Sequence, residues 1–196
     1  MKGKAVIFTV ILGLLIFFGI SVNNGLVERE EGVESAWAQV ENQYQRRADL
    51  IPNLVNTVRG AADFEQETLT AVINARSQAT SINITAADLS DPAKIQQFQE
   101  AQQQLSGALS RLLVSVERYP ELKANSNFRD LQAQLEGTEN RISTERMRFN
   151  NSAQSYNTAI RKFPSSLIAS IGGFDRKAYF EADEGAAQAP TVDFSN

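Results

Sequence analysis

The stretch from Ala36 to Gly60, AWAQVENQYQRRADLIPNLVNTVRG, carries apolar residues three or four positions apart with polar residues between them. This spacing places the apolar side chains on one face of an α-helix. The predicted buried face consists of Trp37, Val40, Tyr44, Ile51, Leu54, Val55 and Val58. Pro52 deprives the Ala48 carbonyl of its helical donor, so that carbonyl needs another partner. We therefore expect a long amphipathic helix, kinked at Pro52, that faces a bundle core.

An uncharged apolar block, Ala5 to Val22, precedes this stretch. As a helix at ~1.5 Å per residue it spans roughly 27 Å, close to the hydrocarbon thickness of a bilayer. Lys2 and Lys4 come before the block and acidic residues follow it, which predicts a single-pass anchor with the N-terminus in the cytoplasm and the domain outside. Two alternatives stay open: a signal peptide cleaved after small residues such as Gly19 and Ser21, and a buried core helix.

The rest of the chain is rich in Gln, Asn, Ala, Glu and Arg, which favours an all-α domain. We expect helices from about Leu26 to Arg59, Phe64 to Thr80, Pro92 to Arg118 and Ser126 to Phe163. The fold class is an N-terminal transmembrane helix followed by an antiparallel four-helix-bundle-like domain with long amphipathic helices. The expected division is 1–25 for the membrane anchor, 26–180 for the bundle and 181–196 for a disordered tail.

The helix ends follow from capping residues. Gly60 is the preferred end of the first helix, with Asp63 capping the second, whereas a rival reading starts a new helix at Asp49. Asp91 caps the third helix, and Asn125 or Ser126 caps the fourth after the short connection YPELKANSN. The Gln-rich run QQFQEAQQQ is expected to be a solvated face, and SSLIASIGGF is expected to pack on the bundle end. The predicted core includes Ile73 on the second helix and Phe163 on the fourth.

Composition removes several classes of function. Net charge is −4 without a broad basic block, so no nucleic-acid partner is expected. The chain has no Cys, which excludes disulfides and thiolate metal sites. It also has no His, the commonest general base and transition-metal ligand. We therefore predict no cofactor and no metal.

Arg46 and Arg47, beside Pro52, are the first candidate site. They can bind an anion or lipid headgroup, or they can serve the fold by bonding the Ala48 carbonyl or pairing with a Glu across the bundle. Carboxylate pairs occur at Glu65 with Glu67 and at Glu136 with Glu139, but acid–base catalysis would require burial that raises a pKa.

Two further candidate sites come from polar residues near helix ends. Tyr119, Pro120 and Asn125 form a connector that can be a binding loop or simply end one helix and cap the next. Tyr156 and Asn157 on the fourth helix predict core packing with one buried amide hydrogen bond, or alternatively an interface.

Four stretches carry a resemblance to a known family: AWAQVENQYQRRADLIPNLVNTV (36–58), RYPELKANSNFRDLQ (118–132), LEGTENRI (135–142) and RFNNSAQSYNTAIRKFPSSLIA (148–169). In this order they resemble the LemA family of bacterial membrane-anchored proteins. The resemblance implies the same anchored bundle and relatives among magnetosome-membrane proteins, but it implies no activity. Topology proposals for the family include an outward N-terminus, opposite to the charge argument. The family often has His before Glu after the first helix, where this chain has Phe64.

The expected function is that of a non-enzymatic envelope protein acting by protein–protein or protein–membrane contacts. Its expected partners are the lipid bilayer, through the N-terminal helix, an unidentified protein and a second copy of the chain. The alternatives are an oligomeric membrane-shaping protein, since long helices pair between chains as well as within one, and a carboxylate- or Ser-dependent enzyme.

Overall fold

The structure, a computed structural model, describes residues 2–60 and 65–181. The regular structure of these ranges is helical and contains no strand, which confirms the all-α prediction. The helices are α1 (Lys2–Arg59), α2 (Gln66–Ser81), α3 (Pro92–Val116), α4 (Pro120–Ala124), α5 (Ser126–Arg161) and α6 (Ser165–Gly172). A short 3₁₀ turn, Ala87–Ser90, precedes α3.

Helix α1 joins the apolar block to the first bundle helix without interruption. Its 58 residues extend through Asp49 and Pro52 to Arg59, so the helix end at Gly60 is confirmed and the rival start at Asp49 is wrong. At ~1.5 Å per residue such a helix is about 87 Å long. The apolar block and the first helix of the bundle are therefore parts of one continuous helix, with no loop between them.

The four long helices pair in an antiparallel arrangement. Helix α1 packs along α5, α2 packs against α3, and α1 also contacts α2. Arg29 contacts Ser155 at 3.1 Å, and Arg47 contacts Glu139 at 2.8 Å. Because numbers rise along α1 while their partners fall along α5, the two helices run in opposite directions. This confirms the predicted bundle-like architecture.

The buried apolar residues form two clusters along the bundle axis. The proximal cluster, on the side of the apolar block, is centred on Trp37, whose ring lies 5.4 Å from Phe98, 5.5 Å from Phe149 and 5.7 Å from Phe180. The distal cluster is built around residues such as Leu54 and is continued by α2, α3 and α5. All the residues predicted for the buried face of α1 are buried.

Two residues predicted for the core are exposed. Phe163 is 81% exposed because α5 ends at Arg161, so the helical register that would turn Phe163 inward has already stopped. Ile73 is exposed because the packed face of α2 is centred on Leu69 and Val72, and Ile73 lies one position beyond it.

The Gln-rich run and the α3–α5 connection also differ from expectation. Gln99 and Gln102 are buried rather than solvated, because each has a polar partner that the sequence does not reveal. The connection after Tyr119 contains the single-turn helix α4. Asp91 caps α3 and Asn125 caps α5, as predicted. The predicted cap Asp63 lies outside the described residues, and α2 begins at Gln66 without a side-chain cap.

The carbonyl freed by Pro52 is satisfied from another helix. Arg76 of α2 donates from Nε to the Ala48 carbonyl oxygen at 2.8 Å. The predicted need for a partner is met, but by Arg76 rather than by Arg46 or Arg47. The bond also ties α2 to the middle of α1.

We expect the effects of Pro52 and Arg76 to be coupled. Arg76→Ala should lower the free energy of unfolding by about 1 kcal/mol, since it leaves a partly buried carbonyl without a donor. In a Pro52→Ala background the restored N–H can bond Ala48, so the same change should cost less than half as much. Urea unfolding of the four proteins of this double-mutant cycle measures the coupling, and equal costs in both backgrounds would contradict it.

Candidate functional site

A polar layer interrupts the core between the proximal and distal clusters. Arg47, on α1, is 1% exposed. Its guanidinium donates to Ser106 Oγ at 2.8 Å, to Glu139 Oε2 at 2.8 Å and to Gln102 Oε1 at 2.6 Å. Gln102 in turn donates to the Ala79 carbonyl at 3.2 Å. Arg47 therefore links α1 to α3 and α5, and Gln102 extends the layer to α2. The pair of Arg47 with Glu139 confirms the predicted alternative of an Arg that pairs with a Glu across the bundle.

The charge of Arg47 is only partly withdrawn from water. The Glu139 side chain remains 51% exposed, so the ion pair runs from the bundle interior to the surface. A buried ion pair gives little net stability compared with a well-packed apolar substitute. We expect this pair to fix the register of the helices, because a shift would leave Arg47 without its acceptors. Arg46 and Pro52 are exposed and do not join the layer.

An extended segment, which we name the C-terminal strap (residues 175–181), follows α6. The strap begins after Gly173, which ends α6 in the left-handed conformation with φ 73°. Asn157 donates to the Lys177 carbonyl at 2.8 Å and accepts from its N–H at 2.9 Å. Asn150 makes the same pair of bonds to Phe180, at 3.0 and 2.9 Å. Each amide thus bonds both the N–H and the carbonyl of one strap residue, as the backbone of a neighbouring strand would.

A third amide extends this pattern to another helix. Gln99, on α3, donates to the Glu181 carbonyl at 3.0 Å and accepts from its N–H at 3.2 Å. The Ala178 N–H donates to the Leu89 carbonyl at 2.8 Å. The strap therefore ties α5 to α3 and closes the proximal cluster. Glu181 is the only described residue of the expected tail, because residues 182–196 lie outside the described ranges.

Tyr156 lies beneath the strap next to a partly buried ion pair. Lys177 Nζ is 2.7 Å from Glu30 Oε1, and the Tyr156 hydroxyl is 3.5 Å from the same oxygen. Burial, and then the Glu30 carboxylate, raise the pKa of the Tyr156 phenol, so it stays protonated. Tyr156 and Asn157 are both buried, and the Asn157 amide bonds to the strap, which confirms the predicted core packing with a buried amide hydrogen bond. The alternative of an interface stays a prediction.

The third candidate group lies at the opposite end of the bundle. Tyr119 is half-buried and Pro120 is the first residue of α4. Asn125 Oδ1 accepts from the N–H groups of Asn127 at 2.9 Å and Phe128 at 3.3 Å. These contacts end one helix and start the next, and the structure does not bring this group near Arg47 or Asn157.

Two of the acidic candidates, Glu65 and Glu139, pair with arginines. A hydrogen bond from Thr68, together with Arg118 at 2.7 Å, lowers the pKa of the Glu65 carboxyl. A general acid at neutral pH requires the opposite shift. Glu139 is the partner of Arg47. Among residues 2–60 and 65–181, no group of three acidic side chains is placed to hold a metal ion.

Several polar residues of this architecture were missed by sequence reasoning. They are Arg76, Gln99, Gln102, Ser106, Asn150 and Lys177. Asn150 and Asn157 are seven residues apart, each directly after a core aromatic, Phe149 and Tyr156. This repeat at helical spacing was the signal that both amides share one face.

Removing one strap amide should loosen the strap locally. Asn157→Ala deletes both bonds to the Lys177 backbone, so the free energy of unfolding should fall by about 1–3 kcal/mol. Hydrogen exchange of the amides in residues 175–181 should accelerate. Asn151→Ala, an exposed neighbour on the same helix, is the matched control. Unchanged exchange in the strap of the Asn157 variant would contradict its dependence on this amide.

The sequence is similar to several known proteins. The chain is 23% identical over 177 residues to protein LemA of Metamycoplasma hominis, covering 90% of this chain and 77% of that protein. It is 38% identical over 85 residues to magnetosome protein MamQ of Magnetospirillum gryphiswaldense, and 35% identical over 85 residues to MamQ 2 of Paramagnetospirillum magneticum. Each MamQ match covers 43% of this chain but only 31% of the relative.

The family profile extends over most of the sequence. The LemA family profile matches residues 36–194, which include the polar layer of Arg47, the amide residues of α5 and the strap. The chain therefore belongs to the LemA family.

Proposed function

We propose that the protein is a non-enzymatic, membrane-anchored protein of the cell envelope that acts through contacts of its helical bundle with proteins or with membrane. This proposal rests mainly on the apolar block Ala5 to Val22, which we call the apolar segment of α1. This segment is long and apolar enough to cross a bilayer, and the rest of the described structure does not bury it.

The helices of the bundle do not bury the side chains of the apolar segment. Large side chains such as Phe8, Leu14 and Phe17 are each more than half exposed, and leaving them in water costs about 25 cal/mol per Å². The inward faces of α2, α3 and α5 are already used in the two core clusters. A bilayer matches both the length and the apolar character of the segment.

The charges beside the segment support an orientation with the bundle outside the cytoplasm. Lys2 and Lys4 precede the segment, while Glu28, Glu30 and Glu31 follow it. A reporter fused after Asn196 tests this orientation, and activity of a cytoplasmic reporter would overturn it. The names of the MamQ relatives support a membrane-associated role and specify no reaction.

The first experiment removes residues 2–22 from the chain. The shortened protein should stay in solution after centrifugation and give a helical circular dichroism spectrum with one cooperative unfolding transition. The reason is that both core clusters lie C-terminal to the deletion, beginning at Leu26. Aggregation with no helical signal would contradict the division into anchor and bundle.

The second experiment identifies what the bundle contacts. Crosslinking in intact cells, followed by mass spectrometry, should capture the same neighbours repeatedly with the full chain and lose them with the shortened one. Capture of the chain itself, together with a multimeric size in detergent, would favour the alternative of an oligomeric membrane-shaping protein. Turnover of a small molecule by the purified chain would overturn the non-enzymatic assignment.

A further inference from the structure

Three large apolar side chains at the proximal end of the bundle point away from the core. Phe163, between α5 and α6, is 81% exposed, while Leu167 and Ile171 on α6 are 58% and 85% exposed. Leu167 and Ile171 are four residues apart and therefore share one face of α6. The opposite face of α6 packs on the bundle through the buried Ala169. The face of α6 that carries its large apolar side chains therefore points away from the core.

Helix α6 lies beside the end of the apolar segment of α1. A Cβ built on Gly19 would lie 3.8 Å from Cδ1 of Ile168, and one built on Gly172 would lie 3.7 Å from Oδ1 of Asn23. The helix is therefore level with residues 19–23 of α1. A hydrocarbon core of about 30 Å accommodates roughly 20 helical residues, so a span starting at Ala5 ends near Asn24. The outward face of α6 then falls at the boundary of the same bilayer.

Basic side chains and a groove lie at this level. Arg161 and Lys162 are exposed and directly precede Phe163. A groove of about 490 Å³ between α1 and α5 is lined by residues that include Leu26, Arg29 and Lys162. Cations above an apolar face suit an interface in which lipid phosphates lie just outside the acyl chains.

We propose that α6 and Phe163 form a second contact with the bilayer, which we call the interfacial foot (residues 163–171). The foot inserts Phe163, Leu167 and Ile171 into the acyl boundary while Arg161 and Lys162 remain at the level of the phosphates. This inference rests on the proposed membrane anchor. Because α6 packs on both α1 and α5, two contacts with one bilayer define the tilt and rotation of the bundle, which a single span leaves free.

The absence of cysteine makes the foot directly measurable. Single variants Leu167→Cys and Ile171→Cys of the full chain are labelled with an environment-sensitive fluorophore and reconstituted in vesicles of phosphatidylcholine and phosphatidylglycerol carrying spin-labelled lipids. Leu15→Cys, in the apolar segment, reports the anchor. Val114→Cys, an exposed position on α3, is the aqueous control. Circular dichroism confirms the fold of each variant.

The foot predicts blue-shifted emission at Leu167 and Ile171, with lipid quenching within about twofold of that at Leu15 and well above that at Val114. Quenching at Leu15 with solvent-like emission at both foot positions would overturn the foot and leave the anchor standing. A blue shift without lipid quenching would also overturn it, since the face would then be covered by a second copy or another protein. Absence of quenching at Leu15 would overturn the anchor itself.

Discussion

Replacing Arg47 with alanine should lower the free energy of unfolding by about 3 kcal/mol, the lower end of the range for breaking a buried ion pair. The change leaves Gln102 and Ser106 without their buried donor and opens a cavity between the two core clusters. The value lies at the lower end because Glu139 is half exposed and regains hydration. Urea unfolding of the full chain in detergent, followed by circular dichroism, measures the loss.

Arg46→Ala is the matched control for this prediction. Arg46 precedes Arg47 on the same helix, carries the same charge and is exposed, so its removal should change stability by less than about 0.5 kcal/mol. Arg47→Met, which fills the space without the charge, should cost less than Arg47→Ala. Equal losses of unfolding free energy for Arg46→Ala and Arg47→Ala would mean that net charge, and not the polar layer, determines the stability.

Replacing Phe149 with alanine should cost about 3–5 kcal/mol, as expected for deleting a fully buried aromatic side chain. Phe149 is 0% exposed, and its ring lies 5.5 Å from both Trp37 and Phe180. The deletion therefore removes contacts to α1 and to the strap together. Trp37 is the only tryptophan of the chain, so its fluorescence reports the change in this cluster directly.

Phe163→Ala is the control for Phe149→Ala. It removes the same side chain, but from an exposed position beyond the end of α5. In detergent its stability should stay within about 0.5 kcal/mol of the unchanged protein, with unchanged Trp37 emission. A loss comparable with that of Phe149→Ala would contradict the described division between core and outward-facing residues.

The polar layer and the strap explain how helices with generic apolar stripes form one arrangement. Apolar stripes alone tolerate shifts by one helical turn, whereas Arg47 finds its acceptors on α3 and α5 in one register. The strap then couples α3 to α5 through Gln99 and Asn150. Any surface through which the bundle contacts a partner therefore belongs to this one arrangement of the helices.

The sequence by itself determined the local features of this protein. The stripe from Trp37 to Val58, the helix end at Gly60 and the caps Asp91 and Asn125 follow from periodicity and short-range hydrogen bonding, which involve residues close in the chain. The apolar segment could also be predicted, because its length and lack of charge are properties of consecutive residues. The order of motifs identified the family.

Only the tertiary structure decided which polar residues are buried and what they contact. Gln and Arg are residue types that usually lie at the surface. Gln102, Gln99 and Arg76 instead each bond a partner 28 to 82 positions away in the chain. The outward face of α6 is the converse case, since its apolar residues read as core. Helical periodicity describes one helix, whereas burial depends on what packs against it, and that choice is made by long-range contacts the local pattern does not encode.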